Sequence, residues 1–382
     1  MINLHISLTP FRNESRALKE TDSLIRCGIT DQVLIAALHE EGLKEHEDID
    51  GARTVWRVKL KTRRWPRNFI FQFLKFLEFC VRVTSYARKN RIQMINIHTL
   101  ILLPLGVWIK LRHGAKLIYD THELETEKNG AFGHRKKFLK LIERTLIRFV
   151  DLTIVVGEEI EKWYRKNYGI TSIVTVLNCP PYQKIVKGKL LRNEFNIPDH
   201  QKIVLYQGGL SAGRGIELLV DAFENTSNDD HVIIFMGYGK LEDKIRKAGT
   251  RCSRIYYKSA VAPAEVLQYT ASADIGISPI EDTCLSYHYC LPNKLFETIM
   301  AGVPVVVSNL PEMRKLVDSY GVGAVMECWD TESIFRALHE IKAMVPAALD
   351  RKLKDAARKF SWSAQEEEMI QAYNKHTLAE VN

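Results

Sequence analysis

A chain of 382 residues has room for two domains of ordinary size. Hydrophobic residues at 46% and charged residues at 26% exclude a disordered chain and describe a soluble globular one. The formal charge of +8 is unevenly spread: residues 57–91 hold eleven Lys and Arg against one acid, Glu78, and this local +10 marks a surface for an anionic partner.

The first residues, Met1-Ile2-Asn3-Leu4-His5-Ile6-Ser7-Leu8, lack the basic flank and long apolar core of a secretory signal and read as a first strand. Apolar runs of strand length follow at 32–38, 54–58, 94–97, 116–119 and 152–156, with a short one at 173–177. A second series occupies 203–206, 232–235, 254–257, 275–278, 305–307 and 323–326. Their near-continuous apolar character predicts parallel strands buried on both faces, and the helix-length runs between them predict βα repeats. A polar stretch at 178–202, opening with Cys179-Pro180-Pro181-Tyr182, separates the series and suits a stiff hinge. The expected fold is therefore α/β, with two doubly wound Rossmann-like domains about a cleft. The longest nearly uncharged apolar run, at about 99–109, is too short to span a bilayer. Seven scattered Cys, without a Cys-x-x-Cys pair, argue against a disulfide framework and for a reducing cytoplasm.

In the first series, Trp65-Pro66-Arg67-Asn68 leads into a helical run at 69–88. Ile70, Phe73, Leu74, Leu77 and Val81 keep helical spacing, but Phe69, Phe71, Phe76 and Phe79 make the apolar surface wider than one core-facing stripe. Arg63, Arg64, Trp65 and Arg67 flank it, and Arg135, Lys136, Lys137 and Lys140 add a second basic helix at 134–148. Two readings stay open for this region, a core helix with basic caps and an interfacial helix on anionic lipid. Nucleic acid has the charge in its favour but no recognition motif, and is not expected as a partner. Further on, Leu117-Ile118-Tyr119-Asp120-Thr121-His122-Glu123-Leu124 ends a strand with a histidine. His98 follows the strand before it, as a second cleft candidate or a structural histidine, and Arg12 and Arg16 follow the first strand, as phosphate contacts or solvated charges.

In the second series, Ile203 to Glu217 reads as a strand, a Gly-rich loop (Gly208, Gly209, Ser211, Gly213, Arg214, Gly215) and a helix start. Glycines let backbone approach a ligand, a helix N-terminus offers N–H groups to phosphate, and Arg214 adds a forked cation. Met236-Gly237-Tyr238-Gly239-Lys240 repeats the strand–loop–helix pattern. Pro292-Asn293-Lys294-Leu295-Phe296-Glu297-Thr298-Ile299-Met300-Ala301-Gly302-Val303-Pro304 then reads as a helix with Glu297 in its first turn, where the dipole favours a carboxylate, and Gly302 past its end. His288 reads as a polar loop histidine.

These segments, Gly208–Glu217 and Pro292–Ser308 above all, resemble the donor site of retaining nucleotide-sugar glycosyltransferases of family GT4, with the two-Rossmann-domain GT-B fold. The resemblance implies an acceptor-side domain at 1–180, a linker at 181–201 and a nucleotide-sugar domain at 202–360. Ser361-Trp362 is similar to the start of a last helix, 361–382, that returns to the first domain. It implies donor contacts from Gly208, Gly209, Ser211, Arg214, Gly237, Tyr238, Asn293, Lys294 and Glu297, with Glu297 on the donor ribose, and catalytic parts for His122, Arg214 and Glu297. It further implies transfer with retention and electrostatic stabilisation of the departing diphosphate. No Asp-x-Asp motif is evident and Asp229-Asp230 reads as a polar turn, so no cofactor and no obligatory metal are expected. The implied partners are a nucleotide-sugar and a glycan or lipid-linked acceptor in cell-surface polysaccharide assembly, at the inner face of the cell membrane.

Two departures stand out. Gly209 occupies the place of the family's usual Arg, and Tyr289, eight residues before Glu297, that of the first Glu of Glu-x7-Glu. Lys294 is either a substitute cation or a solvated helix-start lysine. A nucleotide-sugar epimerase on the same fold, or a degenerate protein that only binds a nucleotide-sugar or membrane partner, are the alternatives.

Overall fold

The computed structural model describes residues 1–12, 14–130, 133–226 and 230–378, so Asp229 of the expected polar turn lies outside the described residues. The chain forms two compact units, Met1–Val176 with Glu366–Asn382, and Leu177–Gln365.

The first unit is built on β1 (Ile2–Ile6), β2 (Gln32–Leu38), β3 (His46–Asp48), β4 (Arg53–Val58), β5 (Met94–Ile97), β6 (Lys116–Asp120), β7 (Leu152–Val155) and β8 (Ile173–Thr175). Their order is β3-β4-β2-β1-β5-β6-β7-β8, parallel throughout except for β3 on β4. Leu4 of β1 pairs with Leu34 and Ile95, and β1, β2 and β5 are almost wholly buried, as their unbroken apolar runs require. The antiparallel edge strand β3 escapes the sequence pattern because its three residues, His-Glu-Asp, are polar and exposed. The sheet reverses direction of growth between β1 and β5, the kind of switch point at which open α/β sheets bind ligands.

The second unit carries β9 (Lys202–Gly209), β10 (His231–Tyr238), β11 (Ile255–Ser259), β12 (Ile275–Ser278), β13 (Val305–Ser308) and β14 (Gly323–Met326), all parallel, in the order β11-β10-β9-β12-β13-β14. Its switch point lies between β9 and β12. One core packs Val204, Tyr206, Phe223, Phe235 and Ile277 on one side of the sheet, and another packs Leu295, Phe296, Ile299, Val305 and Phe360 on the other. The Pro180 carbonyl accepts from the Trp362 amide at 2.8 Å, which fastens the start of the last helix, Trp362–Tyr373, within this unit. The end of the same helix belongs to the first unit: Tyr373 is fully buried there, its hydroxyl meets the Asn96 side chain of β5, and Glu366 pairs with Arg26.

Candidate functional site

In the second unit the loops after β9, β10, β12 and β13 converge at the switch point. Gly215 adopts φ +72°, and a Cβ there would lie 2.5 Å from the Pro279 ring; Gly237 faces the Gly208 carbonyl, which a Cβ would meet at 1.9 Å. Only glycine lets these loops close on each other. Gly208, Gly209, Ser211 and Tyr238 are exposed along the rim they form.

The helix predicted to carry the donor carboxylate runs Asn293–Met300. Pro292 is extended (φ −72°, ψ 144°) and sets the helix start at Asn293, so Glu297 stands in the second turn, not the first. Its carboxylate is therefore held by a side chain rather than by the helix end: Gln207 Nε2 donates to Glu297 Oε2 at 2.6 Å. Gln207 is itself buried and fixed by Thr270, whose hydroxyl donates to Gln207 Oε1 at 2.6 Å. Gly302, at φ +70°, ends the helix as its sequence position requires. Asn293 accepts from Asn178 Nδ2 at 3.0 Å.

Lys294 is not a solvated lysine. It is 9% exposed, its Nζ lies 3.8 Å from the centroid of the Tyr206 ring, and it has no hydrogen-bond partner among the described residues. Burial, and then the neighbouring Arg214, lower its pKa to about 7, against the opposing pull of Cys290 and Glu297. Arg214 lies 5.0 Å over the Tyr287 ring. Cys290, half-buried beside both cations, has its thiol pushed up to about 12 by desolvation. Two cations stacked on tyrosines and one clamped carboxylate thus face the Gly-rich loops, a set suited to a diphosphate and a ribose. Sequence reading missed Gln207, Thr270, Tyr206 and Tyr287; the first three sit inside elements that look like ordinary core. His288 ends the short helix Leu285–His288 rather than lying in a loop, and pairs with Asp282 at 2.8 Å.

In the first unit the residues at the carboxyl ends of β1, β5 and β6 form one chain of contacts. His122 Nε2 lies 2.9 Å from Asp120 Oδ2, His98 Nδ1 lies 3.1 Å from the same oxygen, and His98 Nε2 lies 3.1 Å from His5 Nδ1. Arg16 donates to both oxygens of Asp120, at 3.0 and 2.8 Å, and pairs with Glu20 at 2.8 Å. Burial alone would raise Asp120, yet Arg16 and then His122 and His98 hold its carboxyl well below the usual range. Burial and the adjacent Asp120 push Glu20 the other way, well above it. Burial keeps His5 and His98 below the ordinary histidine range. Arg16 is therefore neither a phosphate contact nor a solvated charge but the buried counter-ion of Asp120. Arg12 is exposed and pairs with Glu40 at 3.1 Å. His98 is a buried link of this network, and His122, half-exposed, is its one member that reaches solvent among those named. Two groups among the described residues have metal-ligating geometry, His5–Glu20–His98 and His98–Asp120–His122, and the Arg16 guanidinium already supplies a cation to the carboxylates of both.

The basic helix predicted at 69–88 runs Phe69–Lys89 and buries only Phe79, Val83 and Ala87. Phe69 is 86% exposed, Val81 69% and Trp108, on the adjoining helix Leu103–His113, 58%. A core helix would not leave these outside. Arg63, Arg64, Trp65 and Arg67 are exposed beside it. On the helix Gly133–Leu146, Lys137 is exposed, whereas Lys136 and Lys140 both pair with Glu127, so Lys136 is not a free cation of this face. No helix among the described residues is long and apolar enough to cross a membrane.

Residues 24–180 match the family described as Glycosyltransferase Family 4, and residues 201–343 match Glycosyl transferases group 1. The chain is 24% identical over 335 residues to the chitobiosyldiphosphodolichol beta-mannosyltransferase of Candida albicans, covering 80% of this chain and 72% of that protein. It is 25% identical over 215 residues to a putative teichuronic acid biosynthesis glycosyltransferase of Bacillus subtilis, covering 54% of this chain and 53% of that one. Among solved structures, sucrose-phosphate synthase of Thermosynechococcus elongatus superposes with a TM-score of 0.81 at 17% identity over 100% of both chains. Anabaena HepE in complex with UDP superposes at 0.73 and 14% identity, over 98% of this chain and 100% of that one. Both show the same fold of two parallel-sheet domains.

Proposed function

We propose that this protein, which belongs to the group 1, family 4 glycosyltransferases, moves a sugar from a nucleotide-sugar to a glycan or lipid-linked acceptor in the assembly of a cell-surface polysaccharide. The observation that carries the donor assignment is the Gln207-clamped Glu297 beside two cations, Arg214 and the buried Lys294, at the switch point of the second unit. Glu297 holds the ribose hydroxyls, while Arg214, Lys294 and the loop amides of Gly208, Gly209 and Ser211 offset the charge that grows on the leaving diphosphate. Gly237, Tyr238 and Asn293 complete the rim.

On the acceptor side, Asp120 orients His122 through Nε2 and leaves its other ring nitrogen for substrate. Retention is the outcome the family resemblance implies, and with no carboxylate nucleophile among the residues named here it would follow a front-face route in which the diphosphate takes the acceptor proton. Arg214 and Lys294, as cations for the diphosphate, support activity without an obligatory divalent metal. The exposed apolar helix with Arg63, Arg64, Trp65, Arg67 and Lys137 supports a peripheral place on an anionic membrane, on its cytoplasmic side.

The test is a thermal-shift screen against UDP-, GDP-, ADP- and TDP-sugars, beginning with UDP-sugars because HepE binds UDP. A shift with one nucleotide class, lost in Glu297→Ala and Arg214→Ala, is the expected result; no shift with any class removes the donor assignment. Turnover that requires an acceptor separates transfer from epimerisation, proton NMR of the product reads its stereochemistry, and EDTA should leave the rate unchanged.

A further inference from the structure

We infer that the first unit holds a two-part site for a lipid phosphate: a cationic pocket for the phosphates and an apolar groove for the hydrocarbon chain. The inference rests on the transferase reading and specifies its acceptor.

A pocket of about 350 Å³ opens at the carboxyl ends of β1, β2 and β4, floored by Leu8, Leu38 and Leu60. Arg63, Arg67 and Lys75 stand in its wall, and no carboxylate does. The turn that presents the arginines is built rather than loose. Glu78 accepts from the Lys61 and Thr62 amides at 2.8 and 2.9 Å, from the Thr62 hydroxyl at 2.7 Å and from Arg82 at 2.8 Å. Burial would raise the Glu78 carboxyl, yet these donors hold it down to about 2, so it stays ionised and engaged. Lys75 Nζ donates to the Trp65 carbonyl at 2.8 Å, which pins the other end of the turn. The single acid of the 57–91 segment is thus consumed in fixing the turn, and the arginines are left facing the pocket. Such a wall is complementary to a phosphate or diphosphate.

Phe76 lines this pocket and also a second one, a groove of about 690 Å³ between the helices Phe69–Lys89 and Leu103–His113. Phe73, Leu77, Val81 and Trp108 wall the groove, and Arg88 and Arg112 close its far end. From Phe73 to Arg88 the helix rises roughly 22 Å at 1.5 Å per residue, enough to seat a long hydrocarbon chain. The cationic head site and the apolar tail site adjoin at Phe76, an arrangement that fits one amphiphile. The pocket lies along the same strand edge as His122: its middle strand, β2, is three strands from β6, roughly 14 Å at the usual strand spacing. That leaves room for a short glycan between the phosphates and the reacting hydroxyl.

The test is calorimetric titration of the full chain with farnesyl diphosphate, inorganic diphosphate and anionic vesicles, with nucleotide-sugar thermal shifts measured on the same preparations. Farnesyl diphosphate should bind at least about tenfold tighter than inorganic diphosphate. Arg63→Ala/Arg67→Ala should weaken it by about tenfold or more. Val81→Glu/Trp108→Glu should abolish the farnesyl advantage and leave inorganic diphosphate unchanged. These side chains are exposed, and unchanged thermal unfolding of the variants verifies folding. Equal binding of both diphosphates, or binding to anionic vesicles without any farnesyl preference, overturns the inference. If the donor shift persists in that case, the transferase reading survives it; loss of both removes both.

Discussion

Replacing Lys294 by Met should make the unliganded protein more stable and the enzyme worse. Lys294 is buried with its ammonium 3.8 Å from the Tyr206 ring centroid, and its pKa falls from 10.5 to about 7. The unfolded chain therefore binds more protons than the native one between those values, so this group weakens the native state. The penalty is fully present below pH 7, declines between 7 and 10.5, and is gone above. The shift corresponds to about 4–5 kcal/mol at pH 7 or below, and attraction to the tyrosine face returns about 0.5–2 kcal/mol. Met fills the same volume without a charge, so Lys294→Met should gain roughly 2–4 kcal/mol at pH 6–7, raising the melting temperature by roughly 5–10 °C. The gain should shrink steadily on titration toward pH 10. Affinity for the nucleoside diphosphate should fall about tenfold or more, since a diphosphate is the partner the ammonium lacks. Urea and thermal unfolding across this pH range, with and without donor, check both halves. A variant that is no more stable than wild type at pH 7, or a gain that does not depend on pH, would refute the account of Lys294 as a buried, ligand-seeking cation.

Gln207→Leu should leave the fold intact but release Glu297, raising the donor KM roughly tenfold with a smaller effect on kcat, as steady-state kinetics would show. Asp120→Asn removes the charge and one of the two acceptor oxygens on which His122, His98 and Arg16 converge, and kcat should drop roughly 100-fold while the donor-induced thermal shift in the second unit stays. Glu143 accepts from the hydroxyls of Tyr119, Tyr164 and Tyr168 at 2.9, 2.7 and 2.8 Å in a buried cluster. Glu143→Leu strands three phenols and should cost roughly 3–5 kcal/mol in chemical denaturation, whereas Glu143→Gln should cost much less.

The strands were legible because parallel, doubly buried strands must be apolar along their whole length; β3, short, polar and on an edge, carries no such mark. The Gly-rich loops and the Asn293–Met300 helix were legible because glycine and proline constrain backbone locally. What the sequence concealed is longer in range. Gln207 lies 90 residues from Glu297, and Arg16 104 from Asp120, and nothing in either neighbourhood signals the pairing. The same limit explains Lys294 and Lys136. Whether a lysine at a helix start is solvated, buried or paired depends on which side chains the fold brings over it, here Tyr206 for one and Glu127 for the other.

The two departures from the family pattern acquire a physical sense at this point. A donor diphosphate calls for more than one cation in a shielded site. Gly209 supplies none, but the helix that carries Glu297 places Lys294 beside Arg214, close enough for Arg214 to lower the lysine's pKa. Tyr289 cannot act as a first carboxylate, and Glu297, fixed by Gln207 and Thr270, remains the acid of the site. A decaying binding site would keep neither the energetic burden of an unpaired buried lysine nor a three-residue relay that aims one carboxylate. Both weaken or constrain the unliganded fold and become favourable only against a ligand that is anionic at one end and rich in hydroxyls at the other. Arg214→Ala offers a direct check of that coupling. With the neighbouring guanidinium gone, the Lys294 pKa should rise, and the pH above which the unliganded protein gains stability should move upward with it. An unchanged pH profile in Arg214→Ala would show that the two cations do not act as a pair.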